Sequence, residues 1–155
     1  MTITTGDRVD KFGTLGDLDS TSAAVNDGSY SVAGDLNTWT NSDDARSANV
    51  ALRWQFPSGT FDSNPYVELH ARRIDYTGTM DEEVPSDDYR GALVGRFRLD
   101  AGLAATTNSV SMTNIDLNNF KPAQVYEFYT KVVAGVQMSA GWKVEIMPLT
   151  DGAHA

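Results

Sequence analysis

The sequence predicts an all-β protein: an antiparallel, jelly-roll-like β-sandwich with an extended N-terminal arm. Two observations support this fold class. Short segments in which apolar and polar residues alternate recur along the chain between turns rich in Gly, Pro and Asn, which is typical of antiparallel sandwiches. No segment longer than about eight residues has the 3.6-residue helical period, so the crossover helices that a parallel sheet requires are not predicted.

Length and composition indicate one domain. The 155 residues are 41% hydrophobic and 21% charged, as in ordinary globular chains. Cysteine is absent, which excludes disulfides and thiolate metal sites. No apolar run approaches the roughly 20 residues of a membrane span, and the first seven residues lack the features of a signal peptide. We therefore expect synthesis in the cytoplasm and no membrane partner.

The charge balance opposes nucleic-acid binding. The chain has 21 acidic and 12 basic residues, a net charge of −9, whereas phosphate backbones are bound through Lys and Arg. We predict no nucleic-acid partner, and we interpret the acidity as a source of solubility and of repulsion between free subunits.

The N-terminal segment is predicted to be an arm. Residues 1–31 are rich in Thr, Asp, Gly and Ser, and Gly13 and Gly16 argue against a helical turn. Such an arm is ordered only where contacts offset about 1–2 kcal/mol of backbone entropy per residue. We expect residues 1–31 to lie on neighbouring subunits and residues 32–155 to form the sandwich. The candidate partner-binding residues, including one from the next polar loop, are Val9, Phe12, Leu15, Leu18 and Trp39.

The clearest strands lie between residues 48 and 100. Residues 48–56 alternate strictly, and residues 67–72 and 93–99 form a second pair of alternating segments joined by an acidic loop. After Ala71 the apolar positions shift to Ile74 and Tyr76. A shift of this kind predicts either a bulge near Arg72 and Arg73 or the end of the strand at Arg72.

Three further strands follow. Residues 110–117 alternate with a change of phase near Asn114. Residues 124–134 are apolar on both faces, which indicates a central strand covered on both sides. Residues 142–146 alternate until Pro148, which is expected to end the strand.

Trp54 and Trp142 are in phase with aliphatic neighbours and are predicted to lie in the core. Trp39, in a polar loop, is kept for partner contact.

Few residues could support catalysis. The two histidines are His70, in mid-strand on a polar face, and His154, the penultimate residue. We interpret His70 as a sheet-surface residue, and no nucleophile or nucleotide-binding motif occurs. The acidic loop at residues 81–88 has calcium-binding chemistry but not the EF-hand order. A solvated loop is favoured, with calcium or a partner left open. We predict no enzymatic activity and no cofactor.

Several segments resemble small virion structural proteins of tailed bacteriophages. They are YVELHARRID (66–75), VPSDDYRG (84–91), VGRF (94–97), YEFY (126–129) and SAGWKV (139–144). The resemblance spans residues 48–148 and includes no catalytic motif. It implies a sandwich or jelly-roll accessory protein on the capsid exterior, which decorates or cements the head, often as trimers. Its implied partners are the major capsid protein and neighbouring copies of itself.

The leading hypothesis is therefore a capsid decoration protein that bridges capsomers. The alternative is a carbohydrate- or receptor-binding module of a phage tail or fibre. A structural component of the tail or neck is a third hypothesis.

Overall fold

Nine β-strands in two antiparallel sheets make up the regular structure of the described residues. The computed structural model describes residues 8–19, 23–31, 38–56, 60–74, 78–88, 92–100 and 109–153, without the side chains of residues 8–11, 19 and 151–153. The strands are β1 (Arg8–Phe12), β2 (Gly16–Asp19), β3 (Thr38–Trp39), β4 (Ser47–Trp54), β5 (Tyr66–Ile74), β6 (Ala92–Arg98), β7 (Ser109–Asp116), β8 (Val125–Val133) and β9 (Lys143–Ala153). Within these ranges there is no helix that could cross a bilayer.

The first sheet has the order β1–β9–β4–β7, with β2 also paired to β9, and the second has the order β3–β8–β5–β6. Their inner faces share one apolar core, so the predicted all-β sandwich is confirmed. In β4 the alternate residues Ala48, Val50, Leu52 and Trp54 are buried. Trp142 lies in the same core, which confirms its predicted position.

Strand β8 is the central strand that its two apolar faces predict. It lies between β3 and β5, and both Phe128 and Tyr129 are completely buried although they point to opposite faces. Phe128 belongs to the core between the sheets. Tyr129 is therefore covered from the other side of the second sheet.

The bulge expected near Arg72 and Arg73 is not found there. The pairing of β5 with β8 is regular as far as Ile74, and the irregularity in β5 lies between Leu69 and His70, on the side of β6. The strand also continues beyond Arg72. The apolar pattern changes because residues 72–74 are only partly buried, whereas the backbone pairing of β5 with β8 continues in the same register. Tyr76 lies outside the described residues.

Pro148 does not end the last strand, contrary to expectation, because β9 continues to Ala153. The Pro148 carbonyl accepts a hydrogen bond of 2.8 Å from the Gly13 amide. The nitrogen and the carbonyl oxygen of a residue in an antiparallel strand point to the same neighbouring strand. The nitrogen of Pro148 therefore points, like its carbonyl, toward the break between β1 and β2. No ladder hydrogen bond is lost there, and the strand tolerates proline.

The described part of the predicted arm belongs to the sandwich itself. Strand β1 pairs with the end of β9 and β2 with its beginning. Further along, Val25 pairs with Met138 and Tyr30 with Lys131. The expected division between residues 31 and 32 is therefore not a structural boundary in these ranges. Backbone hydrogen bonds need no apolar side chains, which is why a polar segment can form these strands. Contact of this segment with neighbouring subunits stays a prediction.

Candidate interaction surface

The acidic loop (residues 81–88) is hydrogen-bonded to the outer face of the second sheet, over part of which side chains are buried. Tyr129 and His70 point away from the sandwich core, yet they are only 0% and 1% exposed. The ring of Tyr30 packs edge-on against His70, with the ring centroids 5.2 Å apart. The interpretation of His70 as a surface residue is therefore wrong, because its ring is buried against Tyr30 and Glu68.

Basic residues of the sheet hold the acidic loop in place. Lys131 Nζ donates to Asp87 Oδ1 at 2.8 Å, and Arg72 Nη1 donates to the Glu82 carbonyl at 3.0 Å. The Arg73 amide donates to Glu82 Oε2 at 2.8 Å, and Pro85 is buried. The loop thus serves as a cover for its own sheet. Within the described ranges, no group of three or more His, Asp or Glu side chains could hold a metal ion.

Glu127 is the shared acceptor beneath this cover. Its Oε2 accepts hydrogen bonds from Arg72 Nε at 2.8 Å and from the Tyr129 hydroxyl at 2.9 Å. Burial, and next the bond to Glu127, raise the pKa of the Tyr129 hydroxyl well above its ordinary value. Tyr129 is therefore a neutral hydrogen-bond donor, and the cluster is a structural network.

Glu68 joins a second cluster on this face. His70 Nε2 lies 3.0 Å from Glu68 Oε2, and Arg96 Nη2 donates to Glu68 Oε1 at 2.8 Å. Desolvation by burial opposes ionisation of Glu68, but the hydrogen bonds from His70 and Arg96 outweigh it and lower the pKa of its carboxyl. The folded state therefore favours the ionised carboxylate.

We expect Glu68 to contribute to acid sensitivity. Because its folded pKa lies below the ordinary value of 4.5, its contribution to stability is complete above that pH. The contribution is lost as the pH falls through the folded pKa. Glu68→Gln should therefore be less stable at neutral pH and lose less further stability in acid than the wild type. Urea denaturation from neutral pH to below pH 4.5 measures the effect. An equal loss of unfolding free energy in acid for the variant and the wild type would contradict it.

The outer face of the first sheet, in contrast, is open: no described segment covers it. Strand register places its side chains in rows across the sheet. From the β1–β2 edge to the β7 edge these rows are Phe12, Leu149, Ser47 and Asp116; Met147, Asn49 and Asn114; Asp17, Glu145, Ala51 and Met112; and Lys143, Arg53 and Val110. Exposed apolar side chains thus lie at both edges of the face.

Ion pairs occupy the middle of this open face. Lys143 Nζ lies 2.8 Å from Asp17 Oδ1 and 3.2 Å from Glu145 Oε1. Glu145 Oε2 also accepts a hydrogen bond of 2.9 Å from Arg53 Nε. The hydrogen bond from Arg53, opposed by desolvation and supported by Lys143, lowers the pKa of the Glu145 carboxyl. These charges satisfy one another, so the apolar edges are the parts of the face that are free to attract a partner.

At the first edge, Phe12 and Leu15 form an exposed pair that we name the N-terminal ridge. They are 70% and 53% exposed, and Phe12 is fixed opposite Leu149 by the pairing of β1 with β9. Leu15 and Trp39 line the same shallow pocket of about 200 Å³. Trp39 is half-buried and packs edge-on against Phe128, with the ring centroids 5.9 Å apart. The structure thus brings Leu15 and Trp39 together.

The other two candidate residues have different positions. Leu18 is completely buried in the core, because β2 directs it inward against β9. It cannot contact a partner in this arrangement, which corrects its assignment. Val9 lies in β1 opposite Gly152, and its side chain lies outside the described residues.

Sequence reasoning missed the exposed residues at the opposite edge, Val110 and Met112. They are 51% and 68% exposed. The change of phase near Asn114 was the available signal. The pairing of β4 with β7 is regular throughout, so the apolar residues before Asn114 face outward and Ile115 faces the core.

No family model matches this chain, and no curated protein matches it.

Proposed function

We propose that this chain is a non-enzymatic structural protein of a bacteriophage virion, in the first place a capsid decoration or cement protein that stabilises the head by bridging capsomers. The observation that supports this proposal is the N-terminal ridge. Phe12, which is paired at the end of β1, and Leu15, in the break between β1 and β2, are large apolar side chains exposed at the edge of the sheet. Exposed apolar groups on a rigid element favour adhesion, because little entropy is lost when such a surface binds.

Strand order is compatible with the proposal, because we infer jelly-roll connectivity from it. From β2 onward, the orders β2–β9–β4–β7 and β3–β8–β5–β6 correspond to two Greek keys that share a sandwich. Viral capsid domains and lectins both use this architecture. The connectivity is thus compatible with the leading hypothesis and with its alternative.

The expected partners are the major capsid protein and neighbouring copies of this chain, arranged as a trimer. A net charge of −9 suits the outside of a capsid better than an interior that faces DNA phosphates. Apolar contact at the ridge supplies affinity in this proposal, and the charged middle of the open face restricts how the subunit docks.

Binding to undecorated heads tests the role of the ridge. We expect Phe12→Glu and Leu15→Glu each to weaken binding by about tenfold or more, as truncation of central apolar contacts does. Leu93→Glu is the matched control for Leu15→Glu, since Leu93 is a similarly exposed leucine on β6. Sedimentation of heads with labelled protein gives the affinity, and circular dichroism checks the fold. Equal binding by the ridge variants and the control would refute the assignment.

The alternative, a carbohydrate- or receptor-binding module of a tail or fibre, is favoured by the pocket at Trp39. An aromatic side chain and polar groups meet there: the pocket is also lined by Thr14, Thr40, Ser42 and Asp43. A glycan-array signal that Asp43→Asn and Trp39→Phe remove, with thermal stability retained, would support this function over decoration. An array without signal would count against it.

A further inference from the structure

Strand β7 is an edge strand without the usual protection. Among the described residues it pairs with β4 alone, in a register that is unbroken over all eight residues. Natural sheets blunt such edges with Lys, Pro, bulges or very short strands. The β7 sequence, SVSMTNID, has none of these devices. The backbone groups on its side away from β4 pair with no described strand and are therefore a template for another strand.

A groove runs beside this edge, between β7 and the edge strand β6 of the second sheet. The two strands are joined where Ser111 Oγ donates to the Arg98 carbonyl at 2.9 Å. They approach closely further along, because a Cβ atom at Gly95 would lie 3.0 Å from Ile115 Cγ2. The groove has a volume of about 530 Å³ and is lined by Trp54, Arg96, Arg98, Asp100 and residues 109–113.

The two walls of the groove differ in chemistry. The β7 wall is apolar on its outer side, where Val110 and Met112 are exposed. The β6 wall carries two arginines. Arg96 is 55% exposed although it binds Glu68, and Arg98 is exposed, with no ion pair to any described residue. Asp100 also lines the groove, so in a chain of net charge −9 this wall has two cations to one carboxylate and lies beside an apolar wall.

We infer that this β6–β7 groove binds an extended segment of a partner protein in which apolar and acidic residues alternate. Successive side chains of a strand point to opposite sides. In a strand added to β7, one set would lie over Val110 and Met112, and the other would face Arg96 and Arg98. Apolar residues in the first set and carboxylates in the second therefore complement both walls.

Other occupants fit less well. Nucleic acid would offer phosphates to the arginines but would leave Val110 and Met112 without apolar contact, and the chain's net charge opposes it. A second copy that paired through β7 would bring one acidic residue, Asp116, to the arginines. The groove lies at the edge opposite the N-terminal ridge, so the inference does not depend on the proposed function.

Fluorescence anisotropy with labelled peptides tests the inference on the full chain. The probe is a peptide of about eight alternating valine and glutamate residues, a usual strand length. Its controls are a peptide of the same composition in two blocks, a peptide of alternating valine and lysine, and a single-stranded oligonucleotide. We expect the alternating acidic peptide to bind about tenfold or more tightly than any control. Amide shifts in NMR spectra should be concentrated in β7.

Two variants with matched controls locate the site. Met112→Lys and Arg98→Glu should each weaken binding of the acidic peptide by about tenfold. Met80→Lys, at a methionine that is 71% exposed, and Lys121→Glu, at an exposed lysine, should not change it. If Met112→Lys disturbs the fold, the effect of Arg98→Glu on peptide binding decides whether the groove is the binding site. Absence of binding, equal binding of any control probe, preference for the oligonucleotide, or insensitivity to Arg98→Glu would overturn the inference.

Discussion

Replacement of Trp142 by alanine is expected to lower the free energy of unfolding by about 3–5 kcal/mol, the usual cost of removing a large aromatic side chain from a core. Trp142, the residue before β9, is buried in the core. Its Nε1 also donates to the Ala23 carbonyl at 3.0 Å, so the indole ties the N-terminal segment to the sandwich. Urea denaturation with an unchanged m-value measures the loss.

Two further variants separate burial from hydrogen bonding. Trp142→Phe keeps most of the apolar volume and loses the hydrogen bond to Ala23, so its cost should lie well below that of Trp142→Ala. Met112→Ala, on the open face, should change stability by no more than about 0.5 kcal/mol. A loss below about 1 kcal/mol for Trp142→Ala would mean that this end of the core is loosely packed.

Much of the sandwich could be predicted because the pattern of apolar residues in its strands matches the pattern of buried side chains. Strand β4 alternates, since one face meets the core and the other meets solvent. Strand β8 is apolar on both faces, because Phe128 lies in the core and Tyr129 is buried on the other side, beneath the Arg72 guanidinium. In these segments the side-chain pattern and the tertiary environment agree, so periodicity alone was sufficient to predict the strands.

The covered face could not be predicted, because its burial depends on pairs distant in sequence. His70 and Glu127 look like surface residues in their own strands. Tyr30 packs against His70, and Arg72, which also binds the loop carbonyl of Glu82, donates to Glu127. No periodicity encodes these contacts. The N-terminal strands escaped prediction for a similar reason: they are held mainly by backbone bonds to β9, more than a hundred residues away.

The ridge shows the same limit on a smaller scale. Leu15 and Leu18 are the same residue type, three positions apart, and both were candidate contacts. Leu15 lies in the break between β1 and β2 and is exposed, whereas Leu18 lies in β2 and faces the core. The sequence identifies both leucines as candidate contacts, but only the hydrogen-bonding of β2 to β9 decides which of the two is available to a partner.

Removal of the Glu127 carboxylate should be the most damaging change on the covered face. Glu127→Ala leaves the Arg72 guanidinium, whose side chain is 14% exposed, and the buried Tyr129 hydroxyl without their shared acceptor. Removing one member of a fully buried pair costs about 3–5 kcal/mol. Because these side chains keep some contact with solvent, we expect about 2–4 kcal/mol, measured by urea denaturation.

A matched pair on the open face provides the control. Arg53 and Glu145 also bridge neighbouring strands, but the Arg53 side chain is 61% exposed, so its coupling to Glu145 should be no more than about 1 kcal/mol. Double-mutant cycles isolate the two couplings. If the Arg72–Glu127 coupling equals that of Arg53–Glu145, the acidic loop does not exclude solvent, and the covered face becomes a second open surface. A larger coupling means that the loop is part of the folded core, which leaves the first sheet and the β6–β7 groove as the surfaces available for binding.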